Sequence, residues 1–173
     1  MVTTPRAYFI TIRTYGTWLS GDARGSVDDE HRDFGEPFKP RDDSRAGFQR
    51  RSMKSPPMII TPEMRPVIEA EIERTCAFRG WDLFALNVRS NHVHLVLSAS
   101  TPPEAVMREI KAYTTRSLRN YGMTSSTAAV WAGHGSTRYA WDDAAAEACI
   151  IYVRDRQGDD LPGSGWCRRI DGS

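Results

Sequence analysis

Two histidines separated by one residue, His92 and His94, are the first side chains whose spacing suggests chemistry. They lie in the segment NHVHLVL, whose valines and leucines predict a β-strand. Side chains alternate in a strand, so both imidazoles point to one face, about 7 Å apart at a rise of roughly 3.3 Å per residue. Two neutral imidazoles at this spacing could bind one cation, with a third ligand from another element. The alternative is a pair of ordinary surface or hydrogen-bonded histidines.

Tyr152 is the candidate nucleophile, in the segment DDAAAEACIIYVRDRQG near the end of the chain. The pattern of this segment predicts a helix, in which Ala145, Ala148 and Cys149 share one stripe with Tyr152. These small residues would let the helix closely approach the face that carries the two histidines. A tyrosine packed in the core at the end of a helix is the alternative.

The elements that must position these residues follow one another as strand, helix, two strands, helix, extended segments and helix. This order predicts an α+β fold, in which an antiparallel sheet of four to five strands packs helices mainly on one face. The predicted strands are 7–14, 81–88 and 92–99, with short extended pieces at 128–132 and 137–141. The predicted helices run from 61 to 80, from about 102 to 120 and from about 143 to 156.

Two helix starts carry recognisable capping signals. The segment Thr101-Pro102-Pro103-Glu104 has the T-x-x-E form of a capping box, so the Thr101 side chain is expected to cap the second helix. Asp142 or Asp143 is expected to cap the last helix.

Length, charge and cysteine content limit the class of protein. The 173 residues fit one domain, here 1–158 with a loop insertion at 20–57, followed by a tail at 159–173. A net charge of +1 is too small for a protein that binds long duplex DNA by charge alone. Three widely spaced cysteines indicate neither a disulfide framework nor a zinc site. No apolar run approaches the roughly 20 residues of a membrane span, so we expect a cytoplasmic protein.

Taken together, four segments resemble the single-tyrosine HUH (His-hydrophobic-His) transposases, and in particular their REP-associated tyrosine transposase branch. These segments are NHVHLVL, KAYTTRSL, GSTRYAW and IIYVRDRQG, and the opening AYFITIRTYGTWLSGDARGSVD is also similar. The resemblance covers residues 7–158. It implies a ferredoxin-like HUH endonuclease fold. It also implies metal-dependent cleavage and rejoining of single-stranded DNA beside a hairpin, through a 5′-phosphotyrosine intermediate in DNA transposition.

The resemblance also implies roles for individual residues. His92 and His94 would hold a divalent metal, Mg or Mn, and Tyr152 would attack the phosphorus. The third ligand of the family is a Gln or Asn, often four residues after the tyrosine, and that position is Arg156 here. The nearest amide is Gln157, which is the predicted third ligand, although an offset of five residues turns it about 140° from Tyr152 on a regular helix.

Under this resemblance, several further side chains are candidates for the same chemistry or for contacts with DNA. Tyr113 is a rival nucleophile, although its place on an apolar stripe with Val106 and Ile110 favours core packing or DNA contact. The candidates for phosphate contact are Lys111, Arg116, Arg138 and Arg154, and the candidates for base stacking are Trp18, Trp131 and Trp141.

A binding protein is the main alternative: a domesticated relative that recognises DNA hairpins without cleaving them, which Arg156 at the ligand position would favour. A two-histidine phosphoesterase acting on RNA is disfavoured, because that class needs two separate His-x-Thr or His-x-Ser motifs and the sequence does not have two. Under both transposase-like hypotheses the partner is single-stranded DNA with a hairpin, of REP-like or transposon-end type. No membrane partner is expected, and the chain could act as a homodimer.

Overall fold

Four antiparallel strands form one sheet in the computed structural model, which describes residues 4–17, 47–48 and 51–155. Their order across the sheet is β2-β3-β1-β4, so β1 and β3 are the interior strands of the described sheet and β2 and β4 are its edges. The predicted α+β fold with an antiparallel sheet of four to five strands is therefore confirmed. The strands are β1 (Ala7–Thr14), β2 (Asp82–Val88), β3 (His92–Ser98) and β4 (Trp131–Ala140).

Two helices cover one face of this sheet, as the alternation of side chains in β3 predicts. These are α1 (Met64–Arg79) and α2 (Pro103–Asn120), and they enclose the larger hydrophobic core. Burying aliphatic side chains on this scale is the main source of stability in a domain of this size. Its fully buried members include Ile10 and Ile12 of β1, Val93, Leu95 and Leu97 of β3, Ile68 and Ile72 of α1, and Val106 and Ile110 of α2.

A third helix, α3 (Asp143–Asp155), packs on the opposite face through a smaller cluster of mostly short side chains. The helices therefore lie mainly, but not all, on one face. The buried stripe of α3 differs from the predicted one, because Ala148 is exposed and Tyr152 keeps 43% of its surface. The cluster comprises Ala7, Ala85, Val96, Ala140 and Val153, with Phe9, Ala145, Ala146, Cys149 and Ile150 packed against it.

The two capping predictions have opposite outcomes. The Asp142 carboxylate accepts a hydrogen bond of 2.7 Å from the Ala145 backbone N–H, so Asp142 caps α3 as predicted. The capping box at Thr101 is wrong, because α2 begins at Pro103 without any side-chain cap. The Thr101 hydroxyl instead accepts a hydrogen bond from the indole N–H of Trp81, at 3.3 Å.

The two short extended pieces predicted after α2 are one continuous strand, β4. Its pairing with β1 shifts register between Ile12 and Thr14, which absorbs extra residues of β4 without ending the strand. Gly135 lies beside this irregularity. A Cβ atom at Gly135 would stand 2.6 Å from the Thr11 carbonyl oxygen, so only glycine lets the two backbones approach this closely.

Several predictions fall wholly or partly outside the described residues. Most of the predicted loop insertion at 20–57, the tail at 159–173, Trp18, Arg156 and Gln157 belong to this group. The described end of the insertion, 51–57, contacts the turn that follows β1, where the Lys54 backbone N–H donates to the hydroxyl of Tyr15. None of the described helices combines the length and apolar character needed to cross a membrane.

Replacing Gly135 with alanine is expected to lower the free energy of unfolding by about 1–3 kcal/mol, because the new methyl group would collide with backbone of β1. Gly133→Ala is the matched control on the same strand, since a Cβ atom there meets nothing within 4 Å. Urea unfolding followed by circular dichroism measures both variants. Equal stability of the two variants would contradict the proposed close approach.

Candidate metal and nucleophile site

His94 lies at the middle of a row of polar side chains that crosses the sheet on the α3 face. Directly paired residues on neighbouring antiparallel strands point to the same face. His94 pairs with Asn87 on β2 and with Thr11 on β1, and Thr11 pairs in turn with Ser136 on β4. Four strands therefore each contribute one polar residue to the same line across the sheet.

Hydrogen bonds fix the orientation of both imidazoles through the same ring nitrogen. Nδ1 of His94 lies 2.8 Å from the hydroxyl of Thr11, and Nδ1 of His92 lies 2.7 Å from the side-chain oxygen of Asn91. An amide oxygen only accepts, so Nδ1 of His92 carries a proton, and the neutral form of this ring has its lone pair on Nε2. Such outer hydrogen bonds set the tautomer and ring angle of metal-binding histidines.

The two imidazole rings lie closer than the strand rise alone predicts. Their centroids are 4.4 Å apart, with an angle of 66° between the rings, so the side chains lean toward each other. Only 9% of the surface of His94 is exposed. Burial lowers the pKa of His94 to about 3, and the charges of His92, Arg89 and Arg13 act in the same direction. His94 is therefore neutral at physiological pH, the form that binds metals.

The two imidazoles could supply two ligands of a metal site through Nε2, the ring nitrogen that does not take part in the Nδ1 hydrogen bonds. Across residues 4–17, 47–48 and 51–155, no cluster of three or more His, Cys, Asp and Glu could hold a metal. A third ligand of the predicted kind, the amide of Gln157, lies outside the described residues.

Tyr152 lies in the last turn of α3 beside the histidine pair. The centroid of its ring is 6.0 Å from that of His94 and 5.8 Å from that of Phe9, with its plane roughly perpendicular to both. Phe9 itself stacks on His94 at 5.3 Å. Edge-to-face packing of this kind orients a ring while leaving its outer edge accessible. The structure thus brings together His92, His94 and Tyr152, which are predicted from separate segments of the sequence.

A hydrogen bond that the sequence alone does not predict ties α3 to the sheet. The side-chain amide of Asn87 donates to the backbone carbonyl of Val153 at 3.0 Å. Val153 follows Tyr152, so this bond holds the turn that carries the tyrosine. Asn87 is 7% exposed, and the visible signal is a polar residue within the apolar strand DLFALNV. Thr11, the partner of His94, gives a similar signal within AYFITIRT.

The predicted phosphate contacts divide between the two faces. Arg138 on β4 is exposed and pairs with Phe9, so it lies on the same face as the histidines. Arg154 is exposed in the last turn of α3. Lys111 and Arg116 are carried by α2, which packs on the other face.

Lys111 has a structural function that the sequence does not predict. Its ammonium donates hydrogen bonds to the carbonyl oxygens of Ala132 and Gly133, at 2.9 and 3.1 Å, and burial lowers its pKa. These bonds fasten α2 to β4 and use two of the three donors that an ammonium has. A phosphate contact of Lys111 stays a prediction, for which one of the three ammonium donors is outside these two bonds.

The rival nucleophile Tyr113 also lies on α2, across the sheet from the histidine pair. The guanidinium of Arg116 covers its ring at 5.4 Å from the centroid. Trp131, a stacking candidate, donates its indole N–H to the hydroxyl of Thr114 at 3.0 Å and so supports the α2 face. Trp141, by contrast, is 57% exposed.

Comparison with known proteins identifies one family. A family model described as "Transposase IS200 like" matches residues 52–143, just over half of the chain. The matched span contains His92, His94 and Asn87 and stops before Tyr152. Among solved structures, the REP-associated tyrosine transposase bound to a REP hairpin is similar, with 11% sequence identity and a TM-score of 0.47. That match covers 90% of this chain and 69% of the other, and no curated protein matches in sequence.

Asn87→Ala is expected to lower the free energy of unfolding by about 1–3 kcal/mol, because the Val153 carbonyl loses a buried donor. Hydrogen exchange of the amides of α3 is expected to accelerate more than exchange in α1 or α2. Asn120→Ala is the matched control, since Asn120 is exposed at the end of α2. Uniform acceleration in all three helices would show that Asn87 does not act through α3.

The depressed pKa of His94 predicts a pH dependence of stability. Between its ordinary value of 6.5 and about 3, the unfolded state binds a proton at this residue that the folded state does not. The free energy of unfolding therefore falls as the pH decreases through this window, by up to about 1.4 kcal/mol per pH unit from this residue. His94→Gln is expected to reduce that slope in denaturant titrations between pH 6.5 and 4. An unchanged slope would contradict the neutral, buried imidazole.

Proposed function

Because the chain belongs to the IS200-like transposase family, we propose that it cleaves and rejoins single-stranded DNA through a covalent bond to Tyr152. This family membership agrees with the resemblance to single-tyrosine transposases in the sequence. The substrate is single-stranded DNA flanking a hairpin, as that resemblance implies, and the biological outcome is transposition at hairpin-associated sites.

The observation that carries the proposal is the position of Tyr152 beside the histidine pair. Its ring packs edge-on against His94, while 43% of its surface remains exposed. A tyrosine that served only as core packing would be buried, as Tyr8 is at 7%. A reactive hydroxyl needs both access to a substrate and a fixed position near the groups that stabilise the transition state.

The proposed reaction is a transesterification, in which a phosphodiester bond to Tyr152 replaces one in the DNA. The Tyr152 phenolic oxygen attacks the scissile phosphorus and loses its proton, and the bond from phosphorus to the 3′ oxygen breaks. The leaving 3′ oxygen takes up a proton and becomes a free hydroxyl, while the 5′ phosphate stays joined to the tyrosine. Attack of a 3′ hydroxyl on this phosphotyrosine reverses the step and reseals the strand, so no nucleotide cofactor is needed.

His92 and His94 would hold the divalent cation of this reaction, Mg or Mn, through Nε2. A cation bound there would polarise the scissile phosphate and offset its developing charge. Thr11 and Asn91 keep both rings in the orientation that aims Nε2 away from their Nδ1 hydrogen bonds. Gln157 is the proposed third ligand. Imidazole donors favour Mn over Mg on grounds of ligand softness.

The residues around the site would bind and position the DNA. Arg138 is exposed on β4 and pairs with Phe9 on β1, so it could contact a backbone phosphate next to the scissile one. Arg154 is carried by the same last turn of α3 as Tyr152 and could contact a second phosphate. Asn87 holds that turn against the sheet through the Val153 carbonyl, so it acts as a positioning residue.

Tyr152→Phe is expected to abolish adduct formation, with a loss of at least about 100-fold, because the phenylalanine ring keeps the packing but lacks the nucleophile. The assay incubates protein with Mn or Mg and a hairpin oligonucleotide labelled at its 3′ end. The covalent complex is detected on a denaturing gel. Mass spectrometry of the adduct then locates the modified residue.

Tyr113→Phe is the matched control, since this tyrosine lies on α2 across the sheet and should leave adduct formation unchanged. An adduct of normal yield with Tyr152→Phe would show that the nucleophile is wrongly assigned. Tight, metal-independent hairpin binding by the native protein, with no adduct in either metal, would instead support the domesticated hairpin-binding protein.

A further inference from the structure

Two exposed aromatic rings at the end of β4 stack on each other. The centroids of Tyr139 and Trp141 are 5.7 Å apart and their planes differ by only 16°. Tyr139 keeps 45% of its surface exposed and Trp141 keeps 57%. The pair therefore presents flat aromatic surface to solvent at an edge strand of the described sheet.

Contacts on the protein side hold this stacked pair in place. The ring of Tyr8, which is buried, packs edge-on against Tyr139 with centroids 5.6 Å apart. Ala140, the residue between Tyr139 and Trp141 in the sequence, is buried, and its carbonyl accepts a hydrogen bond of 2.8 Å from the Arg6 backbone N–H. Asp142, the next residue after Trp141, is fixed as the cap of α3. Little rotational freedom remains to be lost when a ligand binds, which favours affinity.

Other exposed aromatic residues of the described chain lack this arrangement. Phe78 on α1 is 78% exposed, and its ring contacts the guanidinium of Arg79 in the same helix. Isolated exposed rings are common on protein surfaces and need no function. An exposed pair of nearly parallel rings offers the kind of aromatic surface on which unpaired bases stack in single-strand binding proteins.

We propose that Tyr139 and Trp141 form a stacking platform for bases of the single-stranded DNA that the protein cleaves. The inference rests on the proposed function for the identity of the ligand and adds a base-binding site to it. Stacking accepts all four bases, because each has a π-face. The platform would therefore hold the strand without reading its sequence.

The course of β4 connects the platform to the nucleophile. Arg138 precedes Tyr139 and, by alternation, points to the opposite face of the sheet, where it pairs with Phe9. Phe9 is one of the two rings that contact Tyr152. Trp141 is three residues from Arg138, about 10 Å along the strand. A DNA strand with its bases on the platform could therefore pass around the edge strand β4, place a phosphate near Arg138 and then reach Tyr152.

Two carboxylates follow the platform directly in the chain, and one of them is in an ion pair. Asp143 pairs with Arg6 at 2.7 Å, while Asp142 caps α3. The ion pair offsets one of the two negative charges. An apolar partner or a second copy of the chain would gain nothing from Arg138, whereas a nucleic acid strand supplies both a π-face and a phosphate.

The test is the affinity for a fluorescein-labelled thymidine 12-mer, measured by fluorescence anisotropy with EDTA present, so that cleavage does not contribute. Trp141→Ala is expected to weaken binding by about 5- to 100-fold, the range found when one stacking side chain is removed. Trp141→Phe should keep most of the affinity. Phe78→Ala is the matched control, an exposed ring on a different element, and should bind like the native protein.

A second oligonucleotide, of the same length but with abasic residues, separates stacking from charge. Native protein is expected to bind it as weakly as Trp141→Ala binds the thymidine strand, and Trp141→Ala should bind both strands alike. Native affinity of Trp141→Ala for the thymidine strand would overturn the platform. The platform is also overturned if sedimentation shows that Trp141→Ala only converts a dimer into a monomer of unchanged affinity.

Failure of the platform and failure of the proposed function give different results. Native binding by Trp141→Ala, together with an adduct that depends on Tyr152, would leave the cleavage reaction standing without the platform. Weakened binding by Trp141→Ala, with no adduct in Mn or Mg, would leave the platform standing on a protein that binds single strands without cleaving them.

Discussion

The pairing of β3 with β1 is the constraint on which both the fold and the site depend. This register places Val93, Leu95 and Leu97 in the larger core and His94 opposite Thr11 on the other face. A slip of one residue would turn the imidazoles into the core and the aliphatic side chains toward α3. Folding and site assembly are therefore one event, because the burial that selects the register also aligns the hydroxyl that orients His94.

The nucleophile depends on a second, smaller set of contacts. α3 joins the sheet through short side chains and through the bond from Asn87 to the Val153 carbonyl. Small residues on both partners let the helix come close enough for Tyr152 to reach the ring of His94. Asn87 and His94 are direct neighbours across β2 and β3. The strand pair that holds the histidine therefore also positions Tyr152 relative to the sheet.

The sequence predicted most of the architecture, because periodicity reports directly on which face a side chain occupies. It predicted the consecutive strands β2 and β3, the α+β class and the meeting of His92, His94 and Tyr152. Features that depend on a partner distant in the chain were missed or wrong. The capping motif at Thr101 could not reveal that Trp81 takes its hydroxyl. The segment WAGHGSTRYA has too few apolar residues to predict one strand, and only pairing with β1 makes it one. Asn87 was visible as a polar residue in an apolar strand, but its acceptor, Val153, was not.

The unequal size of the two hydrophobic clusters has an evolutionary consequence. The larger core, between the sheet and helices α1 and α2, consists mainly of aliphatic side chains, whereas alanine is the commonest residue of the α3 cluster. Stability scales with the apolar area removed from water, so the α3 face contributes the lesser part. Substitutions of apolar side chains in the α3 cluster therefore remove less buried apolar surface than substitutions in the larger core, and they endanger folding less. A lineage can retune or lose the chemistry on one side of the sheet while it inherits the scaffold on the other.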